Sequence, residues 1–206
     1  LPAEDINGQT WTVQTIQPGG AKFFVTGSKK ESNFHVVDSE HRGLAALDAV
    51  TAIVIAEGYA TADTLSQALS CPVVAAFDSG NLLKVAQVLQ KKYPQKPIVI
   101  AGDDDLTQES INGKNPGKEK AMEAAQLVNG AVVLPIFAPG EQVSQQLSDF
   151  NDLANKSVLG IEAVKRQVGS VVEKVSQQAK QDSLLRLQAP IEPKQQEIKQ
   201  KRALIR

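Results

Sequence analysis

Four short apolar runs, at residues 52–56, 72–77, 98–101 and 131–136, alternate with segments whose apolar residues recur every three or four positions. Runs of four to six residues suit strands buried on both faces and are too short for core helices. Between them, Ala62, Leu65, Ala68 and Leu69 mark one amphipathic face. Leu82, Val85, Ala86 and Leu89 mark a second, and Ala121, Ala124, Ala125 and Val128 a third. The third helix opens at Asn115-Pro116, with Asn as cap and Pro in the first turn, and Gly130 is its stop. This βαβαβαβ order predicts an α/β fold with a central, mainly parallel four-stranded sheet and flanking helices.

Acidic residues follow two of these runs. The first run ends in Glu57-Gly58 and the third leads to Asp103-Asp104-Asp105. Parallel strands point the same way, so both sets emerge at one sheet rim, where such folds bind ligands. Asp103 and Asp105 are two residues apart and share a side in an extended segment, with Asp104 turned away. Carboxylates gathered at one rim repel one another unless a cation sits among them, and hard oxygen donors suit Mg²⁺. Glu57, Asp103 and Asp105 are therefore expected to form an acidic Mg²⁺ site for phosphate chemistry. Asp149 and Asp152, after the fourth run, are within reach of the same rim. Taken singly, each of these acids reads more readily as a helix cap, and together they read as a site. Gly58 leaves room for a phosphate beside Glu57. Lys114, Lys118 and Lys120 flank the start of the third helix, which reads either as a phosphate contact or as a solvated first turn.

The chain has 206 residues, beginning at Leu1, and reads as an excised piece of a longer polypeptide. One cysteine and two histidines leave no internal disulfide and argue against zinc chemistry. No apolar run approaches the roughly 18 residues of a membrane span, so a cytoplasmic setting without membrane contact is expected. Residues 161–206 hold ten Lys/Arg and five Asp/Glu, a charge of +5 that leaves −6 on the remainder. A basic tail on an acidic body suits a solvated helix or a nucleic-acid contact. Within it Ile161, Val164, Val168, Val171, Val172 and Val175 form one helical stripe, and residues after 190 read as a linker. At the other end, residues 9–37 alternate around Pro18-Gly19-Gly20 and predict a small antiparallel element, with a third strand at 33–37. The expected organisation is an N-terminal β element over 1–48, a core over 49–155 and a helical extension over 156–206.

The motifs Ile-Ala-Glu-Gly-Tyr-Ala-Thr (55–61), Val-Ile-Ala-Gly-Asp-Asp-Asp (99–105) and Asn-Pro-Gly-Lys-Glu-Lys-Ala (115–121), in that order, resemble the Toprim domain. The branch they resemble is that of primases carried by conjugative plasmids, phages and related mobile elements. Ala-Ala-Phe-Asp-Ser-Gly-Asn (75–81) and Asp-Phe-Asn-Asp-Leu (149–153) fit the same branch. The resemblance covers roughly residues 8–155. It implies Glu57 as general acid/base or metal ligand, Asp103 and Asp105 as Mg²⁺ ligands, and Asp149 or Asp152 as a further ligand. It also implies Mg²⁺, with Mn²⁺ able to substitute, and synthesis of short RNA primers on single-stranded DNA from ribonucleoside triphosphates. A helicase or relaxase partner is expected. The zinc module and basic template-binding subdomain of bacterial replicative primases are not visible here. Two other readings stay open: a Toprim nuclease, and a non-catalytic accessory domain of a mobilisation protein.

Overall fold

The computed structural model describes residues 1–188. A three-stranded antiparallel sheet comes first, with β1 (Pro2–Glu4), β2 (Thr10–Ile16) and β3 (Lys22–Phe24) side by side. Then β4 (His35–Val37) and a 3-10 turn (Gly43–Asp48) lead into β5 (Ile53–Ala56), α1 (Tyr59–Leu69), β6 (Val73–Ala75), α2 (Ser79–Lys92) and β7 (Ile98–Ala101). The chain continues through α3 (Leu106–Asn112), α4 (Pro116–Leu127), β8 (Ala131–Val133), α5 (Glu141–Ser144), α6 (Phe150–Asn155) and α7 (Gly160–Gln188).

The main sheet has five strands in the order β4-β6-β5-β7-β8, not four. The extra one is β4, which the alternating pattern assigns to the N-terminal element. It pairs antiparallel with β6, His35 opposite Ala75 and Val37 opposite Val73. Its apolar residues Val36 and Val37 are buried against the core, and that burial selects the larger sheet. Asn81 secures the entry: its Nδ2 donates to the carbonyls of Asn33 (2.9 Å) and Ala76 (2.8 Å), and its Oδ1 accepts from the Ser32 amide (2.9 Å).

Strands β5 and β7 alternate between two cores because successive side chains point to opposite faces. Ile53, Ile55, Ile98 and Ile100 pack with Leu82, Val85 and Leu89 of α2 and Ala121, Ala124 and Ala125 of α4. Val54, Ala56, Val99 and Ala101 pack with Ala62 and Leu65 of α1, Phe150 and Leu153 of α6, and Val164 and Val168 of α7. The expected helix faces are thus inward, except that Ile161 on α7 is exposed and Ala163 takes the buried place. The basic helix lies on the core through its first half, and the linker read beyond 190 lies outside the described residues. Among the described residues no helix is long and apolar enough to cross a membrane.

Candidate metal centre

The four parallel strands end level. Ala56 is in register with Ala75 on one side and Ala101 on the other, and Ala101 with Val133 beyond. Glu57 and Gly102-Asp103 therefore leave neighbouring strands at one rim, with the Asp78-Ser79 turn beside them. A small open pocket of about 200 Å³ lies there, and Glu57, Asp103, Asp105, Ser79, Gly117 and Ser148 are among its lining residues.

Asp103 is the most perturbed group. Its Oδ1 is sealed from solvent and accepts no hydrogen bond. Burial, reinforced by the neighbouring charges of Glu57 and Asp149, pushes its carboxyl up to about 8. Glu57 is raised as well, by burial first; the Ser79 amide and Lys22 oppose that rise, while Asp78 and Asp149 add to it. Asp149 is likewise raised by burial, although its side chain caps α6 by accepting from the Asp152 amide (2.7 Å). Glu57 and Asp149 thus both bear on a buried Asp103 whose Oδ1 has no partner.

The other acids have local partners. Asp105 faces the same pocket but caps α3, accepting from the Gln108 amide (2.8 Å). Asp104 points away, to Asn115 Nδ2 (2.8 Å) and Lys118 Nζ (3.4 Å). Asp152 accepts from the Ser148 amide (3.0 Å) and pairs with Lys156 (2.7 Å). Of the three lysines at α4, Lys118 is paired with Asp104, Lys120 with Glu123 (2.7 Å), and Lys114 is exposed. The first turn of α4 abuts the site: a methyl group at Gly117 would sit 3.1 Å from Asp103 Cβ, tight enough that Asp103 would have to give way by a few tenths of an ångström.

Among the described residues no three His, Cys, Asp or Glu side chains are grouped tightly enough to cage a metal ion by themselves. The donor set still fits Mg²⁺, which is commonly held by one or two carboxylates and keeps water or substrate phosphate in its other positions. Asp103 with its orphaned oxygen and Glu57 beside it are the two donors so disposed. Asp105 and Asp149 stand at the margin as groups already used for helix capping.

Other residues also line the rim. Lys22 of β3 reaches it from the small sheet, and a methyl at Gly58 would touch its Nζ at 3.4 Å. Thr61, almost fully buried, lies beside Asp149 and works against the rise of its carboxyl. Ser79, Ser148 and the buried Asn115 complete the wall. The alternation of β3 does give Lys22 and Phe24 a common face, but nothing local says what that face covers.

A model of the Toprim domain family matches residues 52–158. Two proteins of Escherichia coli, each named DNA primase TraC, are similar to the chain. One is 39% identical over 237 aligned positions, covering 88% of this chain and 16% of the relative. The other is 40% identical over 259 positions, covering 98% of this chain and 24% of the relative. The chain therefore spans a quarter or less of the length of these relatives. No solved structure matches it.

Proposed function

Because the chain belongs to the Toprim family, we propose that it carries the nucleotidyl-transfer centre of a DNA primase, one that makes short RNA primers on single-stranded DNA from ribonucleoside triphosphates. The relatives named DNA primase TraC support that reading. The observation that carries it is the Asp103 carboxylate, buried beside Glu57 and Asp149 with an oxygen that no protein group satisfies. Ionising a buried acid without a partner is costly, and a dication bringing a polyphosphate is the ligand that would favour the ionised form.

Toprim domains bind divalent metal in general, and here Mg²⁺, with Mn²⁺ as substitute, would be held by Glu57 and Asp103 with Asp105 or Asp149 assisting. When bound, the ion neutralises phosphate charge and acidifies the attacking hydroxyl. The chain's own residues do the rest. Glu57, its carboxyl raised by burial, is suited to accept the proton of the primer 3′-hydroxyl. Gly58 keeps the approach to Glu57 open. Exposed Lys114 and the start of α4, where Gly117 abuts Asp103, favour the anionic tail of the nucleotide. Asp104, held by Asn115 and Lys118, stays out of the chemistry and orients the loop.

The test is primer synthesis on single-stranded DNA by the intact gene product with labelled ribonucleotides. Glu57→Gln and Asp103→Asn are each expected to lower the yield about 10²-fold or more. Yields equal to wild type would overturn the assignment.

A further inference from the structure

The sheet β1–β3 does more than cover an edge. After the Pro18-Gly19-Gly20 turn, β3 pairs with β2 so that Lys22 lies opposite Ile16 and Phe24 opposite Gln14. Lys22 and Phe24, two apart, leave the strand on the same side. Phe24 meets Phe77, in the loop after β6, edge to face with ring centroids 5.2 Å apart. Lys30 is paired with Asp78 in the same loop. These two contacts fix the hairpin over the rim, and Lys22 is the residue it thereby suspends beside Gly58.

The ammonium there is placed without being neutralised. Lys30, Lys118 and Lys156 are paired with Asp78, Asp104 and Asp152, whereas Lys22 forms no ion pair among the described residues. Its charge nevertheless acts on the centre, favouring the ionised forms of both Glu57 and Asp103. It is also exposed, so an incoming anion meets it first. A lysine amine is a compact point charge with three donors, well suited to one non-bridging phosphate oxygen.

We propose that Lys22 is a phosphate-binding residue of the nucleotide site, reaching over Gly58 to the polyphosphate of the incoming nucleoside triphosphate. Without ligand the same amine offsets part of the negative charge at Glu57 and Asp103. With ligand it moves its attraction to the phosphate while the metal takes over the carboxylates. The inference rests on the metal-centre reading above and adds a residue from outside the family-matched segment 52–158.

The experiment is calorimetry on this chain with two probes, Mn²⁺ alone and then α,β-methylene-ATP at saturating Mn²⁺, in wild type, Lys22→Gln and Lys22→Arg. Loss of the competing amine should tighten Mn²⁺ binding by a few-fold in Lys22→Gln. The same variant should bind the nucleotide analogue about tenfold more weakly, and Lys22→Arg should restore most of that affinity. Wild-type analogue affinity in Lys22→Gln would overturn the role of Lys22 and leave the metal centre standing. So would equal weakening in Lys22→Gln and Lys22→Arg, which would mark a merely structural role. A wild-type chain that takes up neither probe would overturn the metal centre, and the phosphate contact with it.

Discussion

Asn115 Nδ2 donates to Asp104 Oδ1 at 2.8 Å and holds the middle one of the three consecutive aspartates away from the pocket. The same side chain also donates to Glu109 (3.1 Å), and its Oδ1 accepts from the amides of Asp105 (3.3 Å) and Lys118 (3.4 Å). With Asp104 drawn to Asn115 and Lys118, the extended backbone turns Asp103 and Asp105 the other way.

Asn115→Ala removes a helix cap and strands a partly buried carboxylate. Together these cost about 2 kcal/mol. In a chain of this size that lowers Tm by roughly 4–8 °C, measurable by calorimetry or circular dichroism. A drop under about 1 °C would show that Asp104 does not depend on Asn115.

Mg²⁺ or Mn²⁺ should stabilise the wild-type chain because the ion relieves the buried Asp103 oxygen. At a hundredfold excess over Kd the gain is about 2.7 kcal/mol, and Tm rises by roughly 5–10 °C. Asp103→Asn should lose most of that shift while keeping or slightly raising its own metal-free Tm, since a buried carboxylate becomes a neutral amide. An equal metal-induced shift in both proteins, read by differential scanning fluorimetry, would place the ion elsewhere.

His35 titrates against the fold. It is partly buried, its Nδ1 lies 3.1 Å from the Pro2 carbonyl, and burial first, with nearby His41 assisting, lowers its pKa in the folded state. The unfolded chain therefore binds the proton more readily. Stability from this group is complete above the unfolded value of about 6.5 and is lost as pH falls through the folded value. Urea melts at pH 8, 6.5 and 5 should show this decline. In His35→Gln the part of the decline between pH 6.5 and 5 should flatten.

If the basic face of α7 contacts the phosphates of single-stranded DNA, replacing Lys165, Arg166 and Lys180 together by Gln weakens binding uniformly across sequences. The slope of log affinity against log salt should fall by roughly 2, at about 0.7 for each phosphate that is no longer neutralised. Fluorescence anisotropy with a labelled oligonucleotide between 50 and 200 mM salt reads it. An unchanged slope would assign that face a protein contact or none.

Much of this arrangement is present in local pattern. The burial of Ile53–Ala56 and Ile98–Ala101 on both faces, and the inward residues of α1, α2 and α4, follow from period and composition alone. So does the emergence of Glu57 and Asp103 at one rim, because parallel strands in register can deliver their next residues nowhere else. Strand β4 shows where that reasoning stops. His35-Val36-Val37 has the pattern of any short strand, and only pairing with β6 across more than thirty residues of chain separates the large sheet from the small one.

The order of strands and helices along the chain, the two-faced character of the strands and the place of Glu57 and Asp103 just after their strands were thus legible in residues acting through their nearest neighbours. The tertiary structure alone decided that β4 joins the large sheet, that Asn81 holds the Asn33 carbonyl, and that a hairpin lysine overhangs Gly58. Hydrogen-bond partners and charge neighbours are set by through-space packing between segments far apart in the chain. Sequence periodicity records which face a residue occupies, and not what that face meets.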